Sequence, residues 1–192
     1  MSLKHSYSLL APLYDMAVKG PLDKARRKSI ARLRDTEDKD ILINGIGTGL
    51  DIEYLPKGAR YTGSDITPLM LERADKRAKE TGIEIKLECA DSQELPFETE
   101  TFDIIVMHLI LAVVPNPDRA LQEAVRVLKN NGSIYILDKF LKPGQIAPLR
   151  RSLNTILRHI ATRTDVVFEE VLSTNPSVRV VSDDPALAGG WF

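Results

Sequence analysis

The chain holds a single cysteine, Cys89, among its 192 residues, so no disulfide within it is possible. That fits a reducing compartment. Histidine is also scarce: His5, His108 and His159 lie far apart, and with one cysteine they make no metal site. No long hydrophobic run occurs. The most apolar stretch, Ile104 to Val114, is interrupted by His108 and falls far short of the ~20 residues a membrane-spanning helix needs. "MSLKHSYSLLAPLYD" lacks the apolar core of a signal peptide. A soluble, cytoplasmic protein is expected. Aromatics make up only 6% and form no base-stacking cluster, so nucleic acid ranks low as a partner.

What is present is uneven charge. The net charge is −1, yet Lys24 to Arg34 carries six bases and no acid, as does Lys139 to Arg163. These windows hold 12 of the 26 bases and none of the 27 acids. They read either as solvated helix faces or as contacts for an anionic surface. Length fits one domain.

Strand and helix signals alternate. Residues 5 to 34 read as helical, with a break at Gly20-Pro21 and a second start near Leu22. "DILIN", "RYTGSDI", "IEIKLECA", "TFDIIVMHL" and "SIYILDKF" read as five strands, and "SVRVVSDD" as a sixth. Cys89, within the third, is expected in the core. "LDIEYL" reads as a short helix. "TPLMLERADKRAKETG" has Thr67 as N-cap, Pro68 at the first position and Gly82 past the end. "NPDRALQEAVRVLKNNG", "APLRRSLNTILRHIATRT" and "DVVFEEVLSTN" read as further helices. Strands 1, 4 and 5 are continuously apolar, as in sheets covered on both faces. The expectation is an α/β fold: a Rossmann-like, doubly wound, mostly parallel sheet with helices on both faces and an N-terminal helical lid. The whole chain, 1–192, reads as one domain: lid 1–34, ligand-binding core 40–140, C-terminal helices and strand 141–192.

"ILINGIGTGLD" (41–51) carries Gly45, Gly47 and Gly49 where the first strand ends. Ligands in such sheets sit at the strands' carboxyl ends. Bare backbone at Gly47 and Gly49 permits positive φ and close approach. Asp65 ends strand 2, 20 residues after Gly45, where an acid can take both hydroxyls of an adenosine ribose. "CADSQELPF" would run past the adenine, with Asp91 accepting from its amine and Leu95 flanking the ring. Leu50 occupies the sixth position of a dinucleotide fingerprint, so G-x-G-x-x-G fails. No lysine follows for a P-loop. G-x-G-x-G remains, suited to an adenosyl ligand without pyrophosphate.

On these residues the chain resembles the class I S-adenosylmethionine-dependent methyltransferases. "ILINGIGTGLD", "GSDIT", "CADSQELPF", "TFDIIVMHLILAVVPNP" and "RVLKNNGSIYILD" look like five of that family's motifs, in order, across about residues 40 to 140. The resemblance implies S-adenosylmethionine as cofactor. It implies cofactor contacts at Gly45, Gly47, Gly49, Asp65, Ile66, Asp91, Ser92 and Met107. Asn44 stands where the family usually has an acid holding the cofactor's ammonium; its amide oxygen can still accept. Methyl transfer is an in-line displacement that demands alignment and exclusion of water. Candidates to take a proton from the acceptor are His108 and Asp138, at the ends of strands 4 and 5, together with Asp15. For His108 the alternative is simple packing; for Asp138 it is a cap or salt bridge.

"YSLLAPLYDMAVKGPLDKARRKSIARL" resembles the lead-in of bacterial phosphatidylethanolamine N-methyltransferases, as do "VVPNPDRALQEAVRVLK" and "VRVVSDDPALAGGWF". That likeness implies a lid lying on the membrane surface and Tyr7 and Tyr14 in the pocket, or else packed on a helix. The acceptor is then a phospholipid headgroup amine. Localisation becomes cytoplasmic, peripheral on the inner membrane, with the basic windows contributing about 1 kcal/mol per base near an anionic leaflet. The rivals are a quinone or other small-molecule acceptor, and a non-catalytic cofactor-binding module, for which Asn44 is the best support. A nicotinamide oxidoreductase fails on glycine spacing. The family's seventh strand has only "GGWF" to supply it.

Overall fold

The structure is a computed structural model and describes residues 22–140 and 166–184. The described residues open with helix α1 (22–30) and continue through β1 (Asp40–Asn44), a 3-10 turn at Ile52–Tyr54, and β2 (Arg60–Asp65). Then come α2 (Pro68–Thr81), β3 (Ile85–Cys89), β4 (Phe102–His108), α3 (Pro117–Val127), β5 (Leu128–Leu137) and α4 (Phe168–Ser173). The five strands form one parallel sheet in the order β3-β2-β1-β4-β5. Strand order reverses between β1 and β4, which places the ligand crevice at the carboxyl ends of those strands.

Two cores sandwich the sheet. On one face Ile41 and Ile43 of β1 and Ile104 and Val106 of β4 pack with Ile30 of α1, Ile52, and Ala74 and Ala78 of α2. On the other, Leu42, Ile105 and Met107 pack with Ala120, Ala124 and Val127 of α3. Alternation along β1 thus feeds both cores, so both faces are apolar. α2 begins with Pro68 behind Thr67 and ends on Gly82 at φ +68°, as its punctuation predicts, although the Thr67 hydroxyl makes no capping bond.

Three local expectations change. The third helix stops at Val127, and "LKNNG" joins β5 instead. Leu128 is extended and pairs with Phe102 ahead of a register shift. Asn-Asn-Gly propagates a helix poorly, while Leu128 gains a place against the second core. Residues 177–184 form no strand. They have β-favouring residues but no ladder, and Val181 is 88% exposed. Cys89 is exposed rather than core, because it is the last residue of an edge strand. The helix expected over 147–164 and the chain end "GGWF" lie outside the described residues.

Candidate functional site

The glycine loop leaves β1 with Gly45, Gly47 and Gly49 at φ +75°, +56° and +78°. The three have different reasons. A Cβ on Gly45 would sit 2.7 Å from Ile110 Cδ1, and one on Gly49 would sit 2.6 Å from Ile52 Cδ1 and 3.1 Å from Ala74 Cα. Those two serve packing. A Cβ on Gly47 would meet nothing within 4 Å, so bare backbone there fronts open space. The backbone N–H groups of Gly45 and Ile46 both donate to the Ser64 carbonyl, pinning the loop to β2.

Asp65 closes β2 beside that space. Gly47 N–H donates to its Oδ2 at 3.0 Å and Thr67 N–H to its Oδ1 at 2.9 Å. Burial pushes the carboxyl above its ordinary pKa, opposed by those two N–H donors. The Thr67 hydroxyl also donates to this carboxyl, and lone-pair capacity remains for a ligand hydroxyl. Ile66 follows at 39% exposure, an apolar surface open beside the acid. Asp91 is half-buried in a turn, its Oδ1 accepting from Gln93 N–H at 2.9 Å and Gln93 Nε2 at 3.0 Å. An open glycine, an acid with spare lone pairs and an exposed isoleucine fit an adenosyl group.

Other expected contacts turn inward. Met107 is fully buried in the second core, and Leu95 lies there too at 4% exposure. Asn44 is 0% exposed, and its Oδ1 accepts from Ser92 Oγ at 2.6 Å and Ser64 Oγ at 3.3 Å. Its oxygen is thus already engaged within the fold, and Ser92 is buried with it. His108 is buried, with Nδ1 3.0 Å from Asp51 Oδ1 and Nε2 2.9 Å from Ser29 Oγ. Asp138 is 3% exposed; its Oδ2 accepts from Ala112 N–H at 3.0 Å and its Oδ1 from Lys139 N–H at 2.8 Å. Burial raises its pKa against those donors. Asp138 therefore fastens the turn after β4, where Leu109 takes φ +59° and Ile110 meets Gly45. Tyr7, Tyr14 and Asp15 lie outside the described residues.

The sequence reading missed two networks. Asp51, 3% exposed, accepts from Arg26 Nη1 at 3.0 Å as well as facing His108, which ties α1 to the glycine loop and to the end of β4. Burial alone would raise the pKa of Asp51; His108 and then Arg26 overcome it and hold the group at about 2. Farther along, buried Glu123 accepts from Leu95 N–H at 2.9 Å and pairs with Arg126, whose guanidinium reaches the carbonyls of Leu95 and Phe97. This fixes the segment after Asp91 to α3. The signals were an acid closing "GTGLD" and an Arg three residues after Glu123 on one helix.

Residues 42–136 match the family described as "Methyltransferase domain". The chain is 30% identical to the phosphatidylethanolamine N-methyltransferase of Cereibacter sphaeroides, a likeness covering 100% of this chain and 94% of that protein. It is also 30% identical to the demethylmenaquinone methyltransferase of Thermus thermophilus, over 69% of this chain and 63% of that one. Among solved structures, the geranyl diphosphate C-methyltransferase of Streptomyces coelicolor, in complex with Mg2+, geranyl diphosphate and S-adenosyl-L-homocysteine, superposes with a TM-score of 0.67. There the identity is 17%, covering 82% of this chain and 59% of that chain.

Proposed function

Because this chain belongs to the class I S-adenosylmethionine-dependent methyltransferases, we propose that its acceptor is the headgroup amine of a phospholipid such as phosphatidylethanolamine, met at a membrane surface. One observation carries this reading: the likeness to the phospholipid enzyme spans the whole chain, including residues before and after the cofactor-binding core. The basic character of α1 agrees with it. Arg26 is buried in its ion pair, but Lys24, Arg27 and Lys28 are exposed, as is Arg34 just beyond. No helix among the described residues is long and apolar enough to cross a membrane.

The bound cofactor supplies an electrophilic methyl group on a sulfonium. Asp65 would take the ribose hydroxyls, the backbone at Gly47 would pass beneath the ligand, and Ile66 and Asp91 would border the adenine. A headgroup amine has a pKa near that of lysine, ~10, so it must lose a proton before its lone pair can attack. His108 and Asp138 are enclosed by the fold, so we assign them to positioning. Tyr7 and Tyr14 remain the proposed pocket residues on the N-terminal segment.

A second reading, a quinone acceptor, rests on the likeness to the demethylmenaquinone enzyme. One experiment separates the two. Tritiated S-adenosylmethionine is offered with vesicles containing phosphatidylethanolamine, with vesicles of phosphatidylglycerol alone, and with detergent-dispersed demethylmenaquinone. Label in the aminophospholipid alone supports the first reading, and label in the quinone alone supports the second. A chain that binds S-adenosylhomocysteine yet labels neither refutes both acceptors.

A further inference from the structure

Asn44 combines two properties that the cofactor assignment leaves unexplained. Its Oδ1 gathers two hydroxyls, while its Nδ2 is buried with no hydrogen-bond partner. The two hydroxyls belong to Ser64 and Ser92. Ser64 immediately precedes Asp65, and Ser92 immediately follows Asp91. A single buried oxygen therefore ties the residue beside the ribose acid to the residue beside the adenine acid. All three side chains lie within the fold, at 0%, 1% and 6% exposure.

The two arms are unequal. Ser64 is already the ladder partner of Asn44 in the β1–β2 register, so its long 3.3 Å bond duplicates a connection the sheet provides. Ser92 lies just past such support: the ladder before it ends with Asp65 opposite Cys89 and Ala90 N–H donating to the Asp65 carbonyl at 3.1 Å. It follows β3, which β2 separates from β1, and no strand pairing links it to Asn44. Its 2.6 Å bond is a direct tie from the turn at Asp91 to the end of β1.

We propose that Asn44 is a positioning residue that fixes the Asp91 turn relative to Asp65 through Ser92, so that the two ends of the adenosyl group meet a site already set. Neutrality also accounts for the amide. An oxygen taking two hydroxyls in a fully enclosed place needs no charge, and a carboxylate there would be opposed by desolvation. The orphan Nδ2 is the cost of that choice. A preset site binds more tightly because less ordering remains to be done on binding.

The test is calorimetry on Ser92→Ala, Ser64→Ala and Asn44→Ala with two probes. S-adenosylhomocysteine carries the amino-acid end; 5′-methylthioadenosine lacks it. Ser92→Ala should weaken both by the same factor, about three- to tenfold, the worth of one hydrogen bond. Ser64→Ala should change either by roughly twofold or less. Asn44→Ala should match or exceed Ser92→Ala, and in turnover the KM for S-adenosylmethionine should rise while kcat holds. A loss confined to S-adenosylhomocysteine would overturn the proposal, since it would put Asn44 at the ammonium end. Unchanged affinities with a lowered melting temperature would reduce the cluster to a structural bond. Wild-type protein binding neither probe would overturn the cofactor site itself.

Discussion

Replacing Asp51 by Asn keeps its shape and removes its charge from between Arg26 and His108. The ion pair is closed to solvent, with side chains 7% and 4% exposed for Arg26 and Asp51. Its worth follows from proton linkage. His108 and Arg26 outweigh burial and hold the Asp51 carboxyl at about 2, below its ordinary 3.8, which is worth on the order of 2 kcal/mol at neutral pH. Leaving the Arg26 guanidinium enclosed without its counter-ion points to 3–5 kcal/mol for a broken buried pair. The expected loss at pH 7 is therefore about 3 kcal/mol, measured by urea unfolding followed by circular dichroism. The pH dependence is the sharper check. Because the folded pKa is depressed, the contribution is complete above the unfolded value of 3.8 and is lost as pH falls toward about 2. At pH 3 about half of the linkage contribution should remain, so the gap between wild type and Asp51→Asn should narrow accordingly. A gap below about 1 kcal/mol at pH 7, or one of equal size at pH 3, would refute the reasoning.

Gly49→Ala should destabilise by at least 2–3 kcal/mol in thermal or urea unfolding, since its Cβ meets Ile52 and the Ala74 backbone at a positive φ. Gly47→Ala faces open space and should cost only the ~1–2 kcal/mol of left-handed backbone, yet it should weaken S-adenosylhomocysteine binding more than tenfold in calorimetry. Asp65→Ala should abolish most binding of the same ligand, by ~30-fold or more, while the circular dichroism spectrum is unchanged; equal affinity would displace the ribose from this acid. Asp138→Asn, which keeps one oxygen for one of the two N–H groups, should lower turnover less than tenfold; a loss of ~10³-fold or more would restore it as proton acceptor.

The parts of the fold legible in the sequence were those set by local chemistry. β1 and β4 announced themselves as continuous apolar runs because two cores claim alternate residues of each. α2 was bounded by Pro68 and Gly82, which act through backbone geometry alone. Gly47 and Asp65 stood out because bare backbone and an acid at that spacing suit a ligand at a strand end, and the structure brings the two together at 3.0 Å. Where burial on both faces removed the polar–apolar contrast, the reading lost its compass. In β1 nothing in "DILIN" says whether Asn44 turns with Leu42 toward α3 or toward the loop crevice. The structure sends it with Leu42, to Ser92. Residues 177–184 failed for another reason: β-favouring side chains make a strand only when a neighbour supplies the ladder.

His108 and Asp138 show why strand-end residues are ambiguous in sequence. A polar group at the carboxyl end of a parallel strand faces either the ligand or the loops that wall the crevice, and residue type is the same in both cases. What decides is enclosure: Asp65 also receives two backbone N–H groups but is part-exposed, whereas Asp138 and His108 are 3% and 5% exposed. Both ring nitrogens of His108 are in addition matched by Asp51 and Ser29. Neither group is open to an incoming amine unless the fold around it opens. The same network that encloses His108 holds α1 against the crevice through Arg26 and Ser29. Enclosure of His108 and placement of α1 are thus one structural event, and Asp51 stands at its centre.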